Sequence, residues 1–111
     1  MAGMSATSRN KGAAGEREII VALRAYGWTL AARTSNGRAQ YGVSDIRNGP
    51  AGCAIEIKRQ ERLNVPKALD QLTADAGRLI PILVHRPSRH EWMATLPLDE
   101  LLPLLRLREQ G

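Results

Sequence analysis

The sequence predicts a single α/β domain in the order α-β-β-β-α-β-β-α. Three observations lead there. Apolar residues recur at helical spacing in separate segments, alternate with period two in the stretch CAIEIKR between them, and are divided by Gly-, Pro- and Asn-containing turns. A chain of 111 residues has room for one domain and one core. Its 43% hydrophobic and 24% charged residues are ordinary for a globular protein. No apolar run approaches the roughly 20 residues that cross a bilayer. The start lacks the apolar stretch of a signal peptide. A single cysteine, Cys53, can form neither an internal disulfide framework nor a cysteine-based zinc site. The expectation is a cytoplasmic protein with no membrane partner.

Residues 1–11 mix Gly, Ser, Thr, Asn, Arg and Lys without a period and read as a flexible basic arm, leaving residues 12–111 as the domain. Residues 12–26 (GAAGEREIIVALRAY) read as a helix closed by Gly27, with Ile19, Ile20, Leu23 and Tyr26 on its apolar face. Residues 28–34 look like a strand, 35–42 like a polar loop, and 43–47 like a short second strand. The run Asn48-Gly49-Pro50-Ala51-Gly52 is a strong turn signal before a strand over 53–59. Pro66 opens a helix that Gly77 stops, with Ala68, Leu69 and Leu72 as its apolar stripe. Strands over 79–84 and 92–96 flank the loop 86–90. A short helix over 98–105 closes the order, its Asp99 and Glu100 suited to the positive end of the helix dipole. That last segment is rich in leucine despite Pro103, and reads either as a cap on the core or as part of a dimer surface.

Sixteen Lys and Arg against eleven Asp and Glu give a net charge of +5. Residues 1–62 carry ten of the basic groups and five of the acids, and the remainder is balanced. Such a one-sided excess suits a polyanion, whose condensed counterions are released on contact. It equally suits a small domain that uses its charge for solubility.

Three acids stand out against the packing pattern. Glu16 precedes Ile20 by four residues and Leu23 by seven, so it shares the face that should bury. There it needs a counter-charge, unless the helix end lets it reach water. Asp45 and Glu56 lie on two strands joined by the Gly-Pro turn, almost opposite one another in an antiparallel hairpin. Alternation puts Cys53, Ile55 and Ile57 on one face, and Ala54, Glu56 and Lys58 on the other. Two carboxylates so close repel each other and suggest a hard divalent cation such as Mg²⁺ or Mn²⁺ between them. Lys58, one alternation further, could neutralise charge on a phosphate or orient an attacking water. The same three residues could also form ion pairs on a solvated hairpin.

Asp45, a turn, and then Ile55-Glu56-Ile57-Lys58 resemble the D…(D/E)xK signature of the PD-(D/E)XK nuclease superfamily. The stretch Asn10-Lys11-Gly12-Ala13-Ala14-Gly15-Glu16-Arg17-Glu18 resembles the KGxxxERE opening of archaeal Holliday junction resolvases, and RTSNG from Arg33 resembles their arginine strand and Ser/Gly loop. The likeness covers roughly residues 11–84. Beyond it, Ser88-Arg89-His90-Glu91-Trp92 and Leu96-Pro97-Leu98-Asp99 look like small phage-encoded endonucleases of this group, which would work in the cytoplasm of a bacterial or archaeal host. Ser44 stands where the signature has a proline, a residue that shapes the strand and is not a ligand.

The resemblance implies a restriction-endonuclease-like fold, a central mixed β-sheet flanked by helices. It implies a Mg²⁺-dependent endodeoxyribonuclease, with Mn²⁺ as a substitute, that hydrolyses phosphodiester bonds and leaves 5′ phosphates. Glu16, Asp45 and Glu56 would then be metal ligands together with the Ile57 carbonyl, and Lys58 the catalytic lysine. Gln71 matches a glutamine of the following helix, and otherwise reads as the exposed flank of an amphipathic helix. Arg9, Lys11, Arg17, Arg33, Arg38, Arg59 and Arg62 become candidates for phosphate contacts, or else solvated surface charge. The expected partner is branched DNA, in particular a four-way junction cut by a homodimer whose two-fold symmetry matches it. A flap or nick nuclease, and a non-catalytic DNA-binding protein that keeps the fold, are the alternatives. His85 and His90 lack a third convergent ligand in the sequence, Trp28 and Trp92 suit core or interface positions, and Cys53 suits a small buried hydrophobe.

Overall fold

The computed structural model describes residues 6–34 and 44–111, with the backbone alone over 6–11. Three helices and five strands follow one another as α1 (Ala6–Ala25), β1 (Ala32–Arg33), β2 (Ile46–Arg47), β3 (Cys53–Lys58), α2 (Val65–Ala76), β4 (Ile80–His85), β5 (Met93–Thr95) and α3 (Leu98–Gln110). The order is the predicted one, but several boundaries and one pairing differ. Helix α1 begins at Ala6, so most of the expected basic arm is its first turns. It ends at Ala25, which leaves Tyr26 in the turn beyond it, 84% exposed rather than on the apolar face. That turn is closed by Trp28 N–H bonding the Leu23 carbonyl and Ala31 N–H bonding that of Trp28. The strand expected over 28–34 is therefore only two residues long.

The expected single central sheet is divided in two. β1 and β2 form an antiparallel pair of their own, whereas β3, β4 and β5 form a mixed sheet in that order. β3 runs parallel to β4 from Cys53 opposite Ile80 to Lys58 opposite His85, and β5 returns antiparallel with Leu83 opposite Thr95. α2 is the crossover that a parallel pair requires. Its ends follow from local chemistry. The Asn64 side chain accepts from Lys67 N–H at 3.1 Å, proline sits in the first turn, and Gly77 takes the left-handed φ of 61° that stops the helix.

The alternation in β3 sorts the core into two layers. Ile55, with Cys53 and Ile57 beside it, packs against Ile20, Ala31 and Ile46 under α1. Ala54 packs with Leu72, Ala76 and Leu83 under α2. The three-stranded sheet thus lies between α1 and α2. α3 differs from both other helices. It runs five residues further than expected, through Pro103, and buries none of its residues. Among the described residues no helix is long and apolar enough to cross a membrane.

Candidate functional site

The outer edge of β3 organises the site. In a strand, alternate residues send their backbone N–H and C=O groups to opposite edges. The Lys58 carbonyl accepts from Arg86 N–H beside β4, so Ile55 and Ile57 send their groups to the other edge. Residues 44 and 45 occupy that edge without forming a ladder strand. Asp45 N–H donates to the Ile55 carbonyl at 2.7 Å, and Ile57 N–H donates to Asp45 Oδ2 at 2.8 Å. Ser44 Oγ accepts from Ile55 N–H at 3.1 Å and donates to the Ile46 carbonyl at 2.9 Å. The expected hairpin ladder between the second and third strands is thus replaced by one backbone bond, Asp45 N–H to the Ile55 carbonyl, and by the side-chain bonds of Ser44 and Asp45 to the edge of β3, while β2 pairs with β1. The Ile57 carbonyl leaves β3 on the same edge, beside the Asp45 carboxylate.

Asp45 is held above its ordinary value of 3.8, first by burial and then by the negative charges of Glu16 and Glu56; the Ile57 N–H and the Lys58 ammonium act in the opposite direction. All three acids therefore share one electrostatic field. Glu16, on α1, is 19% exposed and forms an ion pair with Arg33 of β1 at 3.2 Å. That answers the question its sequence position raised: its counter-charge is Arg33, which was expected to contact phosphates instead. Glu56 and Lys58 project to the α2 side of the sheet, where Lys58 Nζ lies 3.5 Å from Glu56 Oε1.

On that side an open cleft of about 500 Å³ lies between β3 and α2. Glu56, Lys58, Asn64, Lys67, Gln71 and Asp75 line it, so Gln71 shares a cavity with Glu56 and Lys58. Lys67 and Asn64 are lining residues that the sequence reading did not single out. The Asn-Val-Pro-Lys start of α2 is their signal, because an N-cap places the first helical turn beside the preceding strand end.

A divalent cation fits these donors in kind: three carboxylates and a backbone carbonyl are hard oxygen ligands, and mutual repulsion among the acids favours a cation. Among the described residues, no three His, Cys, Asp or Glu side chains are already gathered around one point. Glu16 and Glu56 are instead turned to Arg33 and Lys58.

The remaining predicted contacts are scattered. Arg17 and Arg62 are exposed, and Arg59 is half-buried with its Nε buried and without a hydrogen-bond partner among the described residues. Arg38 and the side chains of Arg9 and Lys11 lie outside the described residues. A cluster that the sequence reading missed ties α1 to the segment after β4. Glu18 Oε1 accepts from Arg86 and from Trp92 Nε1, each at 3.2 Å, and the Arg86 guanidinium lies 5.2 Å from the Trp92 ring centre. A Cβ at Gly15 would meet Trp92 at 3.2 Å, so the helix approaches the indole closely at the residue before Glu16. His85 Nε2 is 2.8 Å from the Thr95 hydroxyl, which joins β4 to β5. Cys53 is half-buried, and burial pushes its thiol up. Comparison with known proteins finds no family model, no curated protein and no solved structure that matches the chain.

Proposed function

We propose that the chain is a metal-dependent endonuclease of the restriction-endonuclease-like kind, hydrolysing phosphodiester bonds in branched DNA and resolving four-way junctions. The observation that carries the reading is the common field of Asp45, Glu16, Glu56 and Lys58 around one edge of β3. Carboxylates set against each other beside a lysine are costly for stability, and a hydrolytic site for a phosphodiester needs just such groups.

Asp45, Glu56, Glu16 and the Ile57 carbonyl would hold Mg²⁺ or Mn²⁺. Such an ion, when bound, lowers the pKa of a water and neutralises charge on phosphate oxygens. The chain's own residues do the rest. The Ile57 N–H fixes the Asp45 carboxylate at the strand edge, and Arg33 holds Glu16 beside it. Lys58 Nζ provides a positive charge in the lining of the cleft, where it can neutralise charge developing on the phosphate and orient the attacking water. Gln71 and Lys67 line the same cleft and supply donors for non-bridging oxygens.

A second reading is favoured by one observation: Glu16 and Glu56 already have cationic partners. A non-catalytic DNA-binding protein with this fold would look the same. Incubating the protein with labelled four-way junction and matched linear duplex, in Mg²⁺ and in EDTA, separates the readings. Paired, symmetric, metal-dependent cuts in the junction alone are expected. Cuts in flaps, nicks or duplex would keep the nuclease and discard the junction, and binding without cleavage in both Mg²⁺ and Mn²⁺ would favour the non-catalytic reading.

A further inference from the structure

A carboxylate that is to hold a cation must first give up its counter-charge, and for Glu16 that is Arg33. Glu16 Oε1 lies 3.2 Å from Arg33 Nη2, but the two side chains differ in exposure, 19% for Glu16 and 47% for Arg33. A guanidinium that is half in water makes a weak ion pair, which salt and solvent screen. It stays charged across the accessible pH range, so protons do not release the pair, whereas a competing cation can. The backbone keeps Arg33 at the site when the pair opens. Arg33 stands opposite Ile46 in the β1–β2 ladder, Thr34 N–H donates to the Asp45 carbonyl at 3.0 Å, and the Thr34 hydroxyl donates to the Ser44 carbonyl at 2.7 Å. A guanidinium freed from Glu16 thus remains tethered beside the acidic edge, open to water. Its paired N–H donors there match the oxygens of a phosphate.

We infer that Arg33 and a divalent cation are alternative partners of Glu16, so that loading the site with metal releases Arg33 to bind a phosphate of the substrate. The inference rests on the nuclease reading, whose metal and DNA it links. Without a cation, Arg33 neutralises Glu16 and eases the repulsion between Glu16 and Asp45. With one, Glu16 has a new partner and Arg33 has none until a phosphate arrives. The linkage is reciprocal: DNA that captures Arg33 strengthens metal binding by the same factor. The ion pair seen here and the phosphate contact expected from the sequence are then two states of one side chain.

A double-mutant cycle on DNA binding without metal tests it. Labelled four-way junction is titrated in EDTA with the wild type, Arg33→Gln, Glu16→Gln and the double variant. Arg33→Gln is expected to bind within about twofold of the wild type, because Glu16 already occupies Arg33. Glu16→Gln frees Arg33 and should bind roughly tenfold more tightly, with a slope of log K against log salt steeper by about 0.9, the mark of one added phosphate contact. The double variant should lose the steeper slope and most of the gain. Equal effects of Arg33→Gln in both backgrounds would overturn the inference, since long-range charge acts alike in the two. Metal binding is read separately, from the Mn²⁺ paramagnetic resonance signal without DNA. Arg33→Gln should bind Mn²⁺ at least ~3-fold more tightly than the wild type, and equal or weaker binding would overturn the inference. One further measurement needs no variant: the Arg33 Nε–Hε resonance of the wild type should shift saturably with Mg²⁺, and a resonance that stays fixed would count equally against it. A wild type that binds Mn²⁺ and junction with additive variants overturns the exchange and leaves the nuclease reading standing. A wild type that binds neither overturns both.

Discussion

A half-buried aspartate with two other carboxylates in its field is costly to ionise, and Asp45 is in that position because its backbone and side chain both serve the edge of β3. Its folded-state pKa is raised, so the protonated form is the one the fold favours. Any stabilising contribution is complete below the unfolded value and is lost as pH rises through the folded one. Where the carboxylate is ionised, its charge opposes folding. Asp45→Asn keeps an acceptor for Ile57 N–H while removing that charge. In EDTA at pH 7 the variant should melt above the wild type, and the gain should shrink to nothing as pH falls below the ordinary aspartate range. A lower melting temperature at pH 7 would mean that the carboxylate is stabilising as it stands. The shared face of Glu56 and Lys58 was legible because strand alternation is local. The hairpin expected to set Asp45 opposite Glu56 does not form, and Asp45 reaches the edge of β3 through its bonds to Ile55 and Ile57. The Glu16–Arg33 pair was not legible, since it joins α1 to β1 through the tertiary fold.

β3 is held on its two edges by different means, a parallel ladder to β4 and the side chains of Ser44 and Asp45. Removing the Ser44 hydroxyl leaves Ile55 N–H unpartnered in a mostly buried position. Ser44→Ala should therefore destabilise the protein by about 1–3 kcal/mol in urea unfolding. An unchanged midpoint would show that water or a backbone shift replaces the hydroxyl. A proline at this position could offer no such hydroxyl, so this chain joins the strands by another route. Helix α2 was legible almost to the residue, because Pro66 and Gly77 mark its ends chemically; the Asn64 cap was not singled out. The β2 pairing was not, because a two-residue strand has too little pattern to choose its partner. α3 was legible as a helix, but its end was not, since no turn residue marks a stop before Gly111 and none of its residues is buried.

The two layers of core around the β3–β4–β5 sheet leave one side of the domain, the cleft between β3 and α2, open beside the acidic edge. Of the basic groups of residues 1–62, Arg17 and Arg24 lie on α1, Arg33 on β1, Arg47 on β2 and Lys58 on β3, and Arg59 and Arg62 follow β3. The proposed phosphodiester substrate would need positive charge to gather its backbone, carboxylates to hold a cation, and a lysine at the point of attack. The layered α/β order was readable from the chain because apolar periodicity reports burial, whereas the division into two sheets arose from packing that no single segment encodes. The account rests most heavily on Glu56 and Lys58 doing chemistry rather than holding the fold. The measurement that tests this most directly is cleavage and binding of one labelled four-way junction, in Mg²⁺, by the wild type, Glu56→Ala and Lys58→Ala. Cleavage by each variant is expected to fall by at least ~100-fold while junction affinity and melting temperature stay near those of the wild type. Cleavage that persists, or that falls only in step with binding and stability, would contradict it.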